Sequence, residues 1–402
     1  MSLFDYVVTR DAHCRKYGQL QQMFGTDDVL PLWIADMDFK TPQPIIDTLR
    51  SVVTEPVQGY NLDHPHWKQS VTEWYKNRYG YDVNADWLHF VPGVIKTIVL
   101  SLMALTKTGD NILTCTPIYD PYPNFIKKSG RSLIQTRLIE KNGRYEFDWH
   151  DFREKLKNCQ MFLFSSPHNP GGMVWDRETV ERINRYCHDA GVIIVSDEVH
   201  GDLTLPGKLH IPFFTVNEAL NSQSIVFTSI SKVFNTPAIQ GGIAIIKNEE
   251  LRNKFYSFLD DCYLAETNSL QQAAIYSAYT RCDDWHQKLL SYLSDNVKYV
   301  KGEIEKNCPL ISVVYGGASY LLFLNAEEMG LSDKQLISFF VHEAKLGLSP
   351  GIQYGPGGEG HMRLNVGCPR SVLVESMKRL KEAYENRKNA QRDHLELAHK
   401  PV

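Results

Sequence analysis

From about residue 90 to residue 250 the chain alternates short, wholly apolar runs with stretches of helical spacing, and this rhythm limits the possible folds more than any other feature. NILTC, MFLFS, VIIVS, SIVFT and GGIAII read as strands. Val94, Ile95, Ile98, Val99, Leu102 and Met103 share one helical face, and Val180, Ile183, Cys187 and Ala190 share another, stopped by Gly191. Strands that are apolar on both faces must be covered on both. The expectation is an α/β fold, a mostly parallel sheet sandwiched by helices.

The flanks differ. Before this core lies an irregular aromatic arm, WIADMDFKTPQP, bracketed by Pro31, Pro42 and Pro44, too apolar for a solvated linker and expected to pack against the rest. Trp67, Val71, Trp74, Tyr75 and Arg78 then follow helical spacing. After about residue 290 come a long charged helix (Leu289 to Ile304), two short strands around the Gly-Gly turn of ISVVYGG and SYLLFLN, a capping box at Ser332 and Gln335, the strand MRLNVG, and a helix through Val374, Met377 and Leu380. The tail from Glu385 reads as a fraying helix or disorder. We therefore expect an N-terminal arm at 1–45 contributing to a small domain, a large domain at 46–288 and a small α+β domain at 289–402.

Open parallel sheets bind ligands at the carboxyl ends of their strands. Three such ends carry polar residues that a core does not need: Asn169 after MFLFS, Asp197 after VIIVS and Lys232 after SIVFTSIS. Singly, these read as a turn former, a helix cap and a surface charge. Together at one sheet edge they fit a site for pyridoxal phosphate. The Lys232 amine can condense with the aldehyde, Asp197 can keep the pyridine nitrogen protonated, and Asn169 can donate to the ring oxygen. The Ser229 and Ser231 hydroxyls can hold the phosphate. Gly93, entering a helix, offers it the backbone amides of Val94 and Ile95.

Net charge is −4 over 402 residues, which gives no electrostatic footprint for nucleic acid or an anionic membrane. No stretch reaches the ~20 apolar residues of a membrane helix, and the first residues lack the pattern of a signal peptide. The eight cysteines show no C-x-x-C spacing and read as reduced thiols of a cytoplasmic protein, with no metal site. GPGGEG matches the dinucleotide fingerprint formally. A strand follows it rather than a helix, so it reads as a loop near the substrate.

PHNPGG, SDEVH and SISK, in that order and roughly 30 residues apart, resemble the fold-type-I aminotransferase superfamily of pyridoxal phosphate enzymes. WIADMDF, VPGVI, TPIYDPY, SDEVHGDL, SKVFN and GGEGHMRLNVGCP resemble its MalY/PatB-type carbon–sulfur lyases, the cystathionine β-lyase-like branch. The resemblance implies that Tyr119 stacks on the cofactor ring and that Ser229 binds phosphate with Gln240. It also places Asn169 and His200 by the ring oxygen and gives Arg363 the substrate's α-carboxylate. Arg363 has its own physical case too, since a guanidinium fork matches a carboxylate with two parallel hydrogen bonds. Tyr60, in GYNLD, would reach the phosphate of a neighbouring subunit, implying a homodimer. His200 and Gln240 stand where many aminotransferases have tyrosine and arginine, departures the lyase branch shares. Asp120 stands where that branch often has a second aromatic.

The implied reaction is β-elimination on a sulfur-containing L-amino acid, with a small-molecule substrate as partner. Transamination would use the same residues. A pyridoxal-phosphate-binding regulatory protein with little turnover is the reading from another class.

Overall fold

A computed structural model describes residues 2–216, 220, 223–264, 266 and 268–398. Eight strands form the large sheet: β1 (Leu88–Val91), β2 (Asn111–Thr116), β3 (Ser132–Lys141), β4 (Arg144–Phe147), β5 (Met161–Ser165), β6 (Ile193–Asp197), β7 (Ser224–Thr228) and β8 (Gly242–Ile245). Their spatial order is β1-β8-β7-β6-β5-β2-β3-β4. The five central strands, β3, β2, β5, β6 and β7, run parallel. Every residue of β5 and β7 is buried, as strands covered by helices on both faces require.

The margins of the sheet are antiparallel, and this refines the sequence expectation. β8 runs against β7 because the chain between them stays at the carboxyl edge, around the single turn Ile230–Val233, and re-enters from that edge. β1, whose apolar run is broken by His89, pairs antiparallel with β8, and β4 runs antiparallel to β3. At the centre, Ser165 lies beside Asp197 and Asp197 beside Phe227. The strand ends are therefore level, so whatever follows them gathers at one edge.

A second, antiparallel sheet is built from β9 (Ser312–Val314), β10 (Leu321–Asn325), β11 (Ser349–Pro350) and β12 (His361–Asn365), in the order β9-β10-β12-β11. It follows helix Asp283–Asn307, which runs unbroken through the expected boundary at residue 288. The Ser332–Gln335 capping box is present. The last helix, Arg370–Ala398, continues well past Glu385 where fraying or disorder was expected; residues 399–402 lie outside the described residues.

The aromatic arm packs as its composition demands. Trp33, Met37 and Phe39 are buried, and Leu30–Pro31 pair in parallel with Leu346–Gly347. Prolines bound it without breaking it: Pro44 falls in the first turn of helix Gln43–Val53, where a missing amide hydrogen costs nothing. Among the described residues no helix is long and apolar enough to cross a membrane.

Candidate active site

Three strand ends and one helix start converge on a cavity of about 240 Å³. Ser229 caps the turn Ile230–Val233 directly after β7, its hydroxyl accepting from the Ser231 amide at 3.2 Å and donating to the Gly241 carbonyl at 2.9 Å. That turn brings Lys232 back over the sheet edge. Its Nζ donates to the Ala35 carbonyl in the arm at 2.7 Å. Burial, helped by the nearby Arg363 charge, brings the ammonium down to about 8, so near neutral pH an appreciable fraction is the free amine.

Asp197 ends β6 and is buried. Burial raises its carboxyl, while a 2.5 Å hydrogen bond from the Tyr122 hydroxyl and a 3.2 Å bond from the Val199 amide work the other way. Tyr122 was not singled out from sequence. Its place three residues after Tyr119 in TPIYDPY reads equally well as core, and the two rings do pack edge to face at 5.6 Å. His200 also lines the cavity. Burial, with Lys232 and Arg363 adding to it, lowers its ring to about 3, so it is neutral at physiological pH.

Helix Val94–Leu105, whose start also lines the cavity, begins at Gly93, whose φ of 130° favours glycine. Val94, Ile95, Ser231 and Gln240 line the cavity. So does Lys96, which sequence inspection passed over; its Nζ donates to Gln240 Oε1.

Asn169 follows the β5 end, with its amide bonded to Ser165 Oγ at 3.3 Å. Its Oδ1 accepts from Arg363 at 3.1 Å, and the second arm of that guanidinium donates to the Trp33 carbonyl at 2.8 Å. Arg363 is buried, stands over the Tyr354 ring at 5.1 Å and reaches the cavity through Asn169 rather than lining it. Asp120 follows Tyr119 with its side chain reaching solvent; partial desolvation by its neighbours raises its carboxyl, and the Arg363 charge opposes the rise. Tyr60 is fully exposed, on a segment between helices, and contributes nothing to this chain's own cavity. The structure thus gathers Gly93, Val94, Ile95, Tyr119, Asn169, Asp197, His200, Ser229, Ser231, Lys232 and Gln240 around one space, with Arg363 behind Asn169 and Tyr60 apart.

The donor set fits pyridoxal phosphate. An amine and a buried carboxylate share one small cavity with the first residues of a helix and with Ser229 and Ser231. Among the described residues, His200 Nδ1 and Arg363 Nε are buried without a hydrogen-bond partner, which leaves both open to a ligand.

Residues 28–380 match the model of the family described as aminotransferase class I and II. The chain is 34% identical over 370 residues to the cystathionine beta-lyase PatB of Bacillus subtilis, covering 92% of this chain and 96% of that one. Among solved structures, it superposes with a TM-score of 0.91 and 31% identity on a pyridoxal-phosphate-bound putative aminotransferase of Clostridium difficile, covering 95% and 99% of the two chains. Cystalysin of Treponema denticola, which contains a pyridoxal 5'-phosphate cofactor, superposes with a TM-score of 0.90 and 30% identity over 95% and 98%.

Proposed function

The chain belongs to the aminotransferase class I and II family, in its MalY- and PatB-like branch, and on that premise we propose that it is a carbon–sulfur lyase acting on L-amino acids with sulfur at the β-carbon. Its cofactor is pyridoxal phosphate. The cofactor chemistry is supported by the pairing of Lys232, an amine brought down to about 8, with the buried Asp197 carboxylate in one cavity, and the choice of elimination by the 34% identity to a cystathionine beta-lyase.

Bound there, pyridoxal phosphate supplies an aldehyde that takes up amines and a cationic ring that withdraws electrons from the substrate's α-carbon. The chain's residues do the rest. Asp197, steadied by Tyr122 and Val199, holds a proton on the ring nitrogen. Tyr119 would cover the ring, and Asn169 and His200, which line the same cavity, would meet its oxygen. Ser229, Ser231, Gln240 and the amides behind Gly93 hold the phosphate. Arg363 takes the substrate's α-carboxylate. With the substrate amine on the aldehyde, the freed Lys232 amine would accept the α-proton as general base. The bond from the β-carbon to sulfur would then break with its electron pair on sulfur, and the thiolate would take up a proton and leave as a thiol. The Lys232 amine would retake the aldehyde and free the unsaturated amine, which water would hydrolyse to pyruvate and ammonia. Tyr60 completes the phosphate site of a second copy, which makes the active unit a homodimer.

Transamination asks for the same residues, and the likeness to a putative aminotransferase favours it as the second reading. The two separate in solution. Elimination releases pyruvate from L-cystathionine or L-cysteine with no 2-oxo acid present, and a strict requirement for an added 2-oxo acid overturns it.

A further inference from the structure

We propose that Lys96, held in place by Gln240, is the charge partner of the cofactor phosphate. This assignment rests on the cofactor reading above and adds to it a residue that no motif indicated.

A phosphate monoester carries nearly two negative charges at neutral pH. The hydroxyls and amides that face the phosphate end of the cavity are all neutral. No arginine lines this cavity among the described residues, and its two lysines are Lys232 and Lys96. Lys232 is engaged with Ala35 in the arm, and its charge belongs to the reacting end. Lys96 therefore remains as the cation for the phosphate.

Its setting supports the assignment. Lys96 is the third residue of helix Val94–Leu105, and the first turn of that helix holds no acid. A lysine there faces the positive end of the helix dipole, an unfavourable arrangement unless an anion binds at the same spot. Nor does a carboxylate offset it, because among the described residues Asp197 is the only acid lining the cavity. What Lys96 has instead is Gln240, whose Oε1 accepts from Nζ. That bond does two things. It draws the long side chain towards the cavity, and by engaging Oε1 it leaves the Gln240 Nε2, which has no protein partner among the described residues, to donate to the same anion. The pair together offers one charge and two directed donors, close to what a single arginine fork presents.

The test is titration of the cofactor-free full chain with pyridoxal phosphate and, separately, with pyridoxal, which lacks the phosphate, following the visible absorption band. Lys96→Met should weaken pyridoxal phosphate about tenfold or more, as expected for loss of one charge-assisted contact, and leave pyridoxal unchanged. Adding Gln240→Arg to that variant should restore most of the loss. Equal affinity of Lys96→Met and the unaltered chain for pyridoxal phosphate overturns the proposal, as does an equal loss towards both compounds. If the unaltered chain takes up neither compound, the cofactor reading itself falls and this assignment with it, a result distinct from a defect confined to the variant.

Discussion

Lys232 and Arg363 are held by carbonyls two residues apart on one segment: Lys232 Nζ donates to Ala35 at 2.7 Å and Arg363 to Trp33 at 2.8 Å. The arm is thus a strap across both cations of the site, one at the edge of the large sheet and one on the small sheet. It is tied from each side. Asn235 Nδ2 donates to the Met37 and Phe39 carbonyls at 2.9 and 2.8 Å, and Asn365 Nδ2 to those of Ile34 and Asp36, both at 2.6 Å. Both cations donate to the same strap, so anything that shifts the strap shifts both.

Behind the strap lies a buried ion cluster. Lys16 has no solvent exposure and sits 2.6 Å from Asp38 and 3.7 Å from Asp36, while Arg10 reaches Asp38 at 3.1 Å and Asp36 at 2.8 Å. Removing Asp38 strands most of a buried ammonium, which costs about 3–5 kcal/mol. Asp38→Ala should therefore lower the urea midpoint with little change in slope. Combining Lys16→Met with Asp38→Leu should recover much of it. A midpoint unchanged in Asp38→Ala would rule out the buried-charge account.

The Tyr122–Asp197 bond should show in both rate and pH profile. Asp197→Ala removes the group that keeps the ring nitrogen protonated and should cost most of the turnover, about 10²-fold or more, while some cofactor stays bound. Tyr122→Phe removes a hydrogen bond to a buried carboxylate, worth about 1.5–3 kcal/mol, and should cost roughly 10- to 100-fold. Because that bond holds the Asp197 carboxyl down against burial, its loss lets the carboxyl rise. Asp197 must be ionised to work, so the acid limb of the Tyr122→Phe profile should move to higher pH. An acid limb that stays put in this variant argues that Asp197 does not set it.

Lys232 makes a second pH prediction. Only the free amine attacks an aldehyde, and the free-amine fraction grows as pH rises through about 8. The rate at which the cofactor-free chain captures pyridoxal phosphate should increase over that window and level off above it. Arg363 helps burial hold the ammonium down, so in Arg363→Gln the window should shift upward. Capture that is flat with pH between 7 and 9 contradicts the assignment.

Sequence made some of this site readable and hid the rest for physical reasons. Asn169, Asp197 and Lys232 stood out because a parallel sheet sets its strand ends level, and a polar residue after an apolar run has no core purpose there. Tyr122 did not stand out, since an aromatic at helical spacing is ordinary core, and only the 2.5 Å bond to Asp197 gives it another meaning. Lys96 resembled any solvated lysine on a helix, because its partner Gln240 is remote in sequence. The carbonyls of Trp33 and Ala35 carry no side-chain signal at all. Of the fold, the parallel centre was legible from apolar runs. The antiparallel direction of β8 was not, because direction depends on the path of the loop and not on the strand.

His200 supplies the last prediction. Its ring is buried and neutral, brought down to about 3, and Nδ1 has no protein partner. An unsatisfied buried acceptor or donor costs about 1–3 kcal/mol, whereas an apolar ring of similar shape carries no such cost. In the cofactor-free protein, His200→Phe should leave the thermal midpoint unchanged or raise it slightly. With pyridoxal phosphate added the order should reverse, because histidine gains a partner at the ring oxygen and phenylalanine cannot. The measurement is the rise in midpoint on adding the cofactor, which should be smaller in His200→Phe than in the unaltered chain. Since the ring stays neutral across the range, that difference should be the same at pH 6 and pH 8. An equal rise in both proteins would show that His200 does not meet the cofactor.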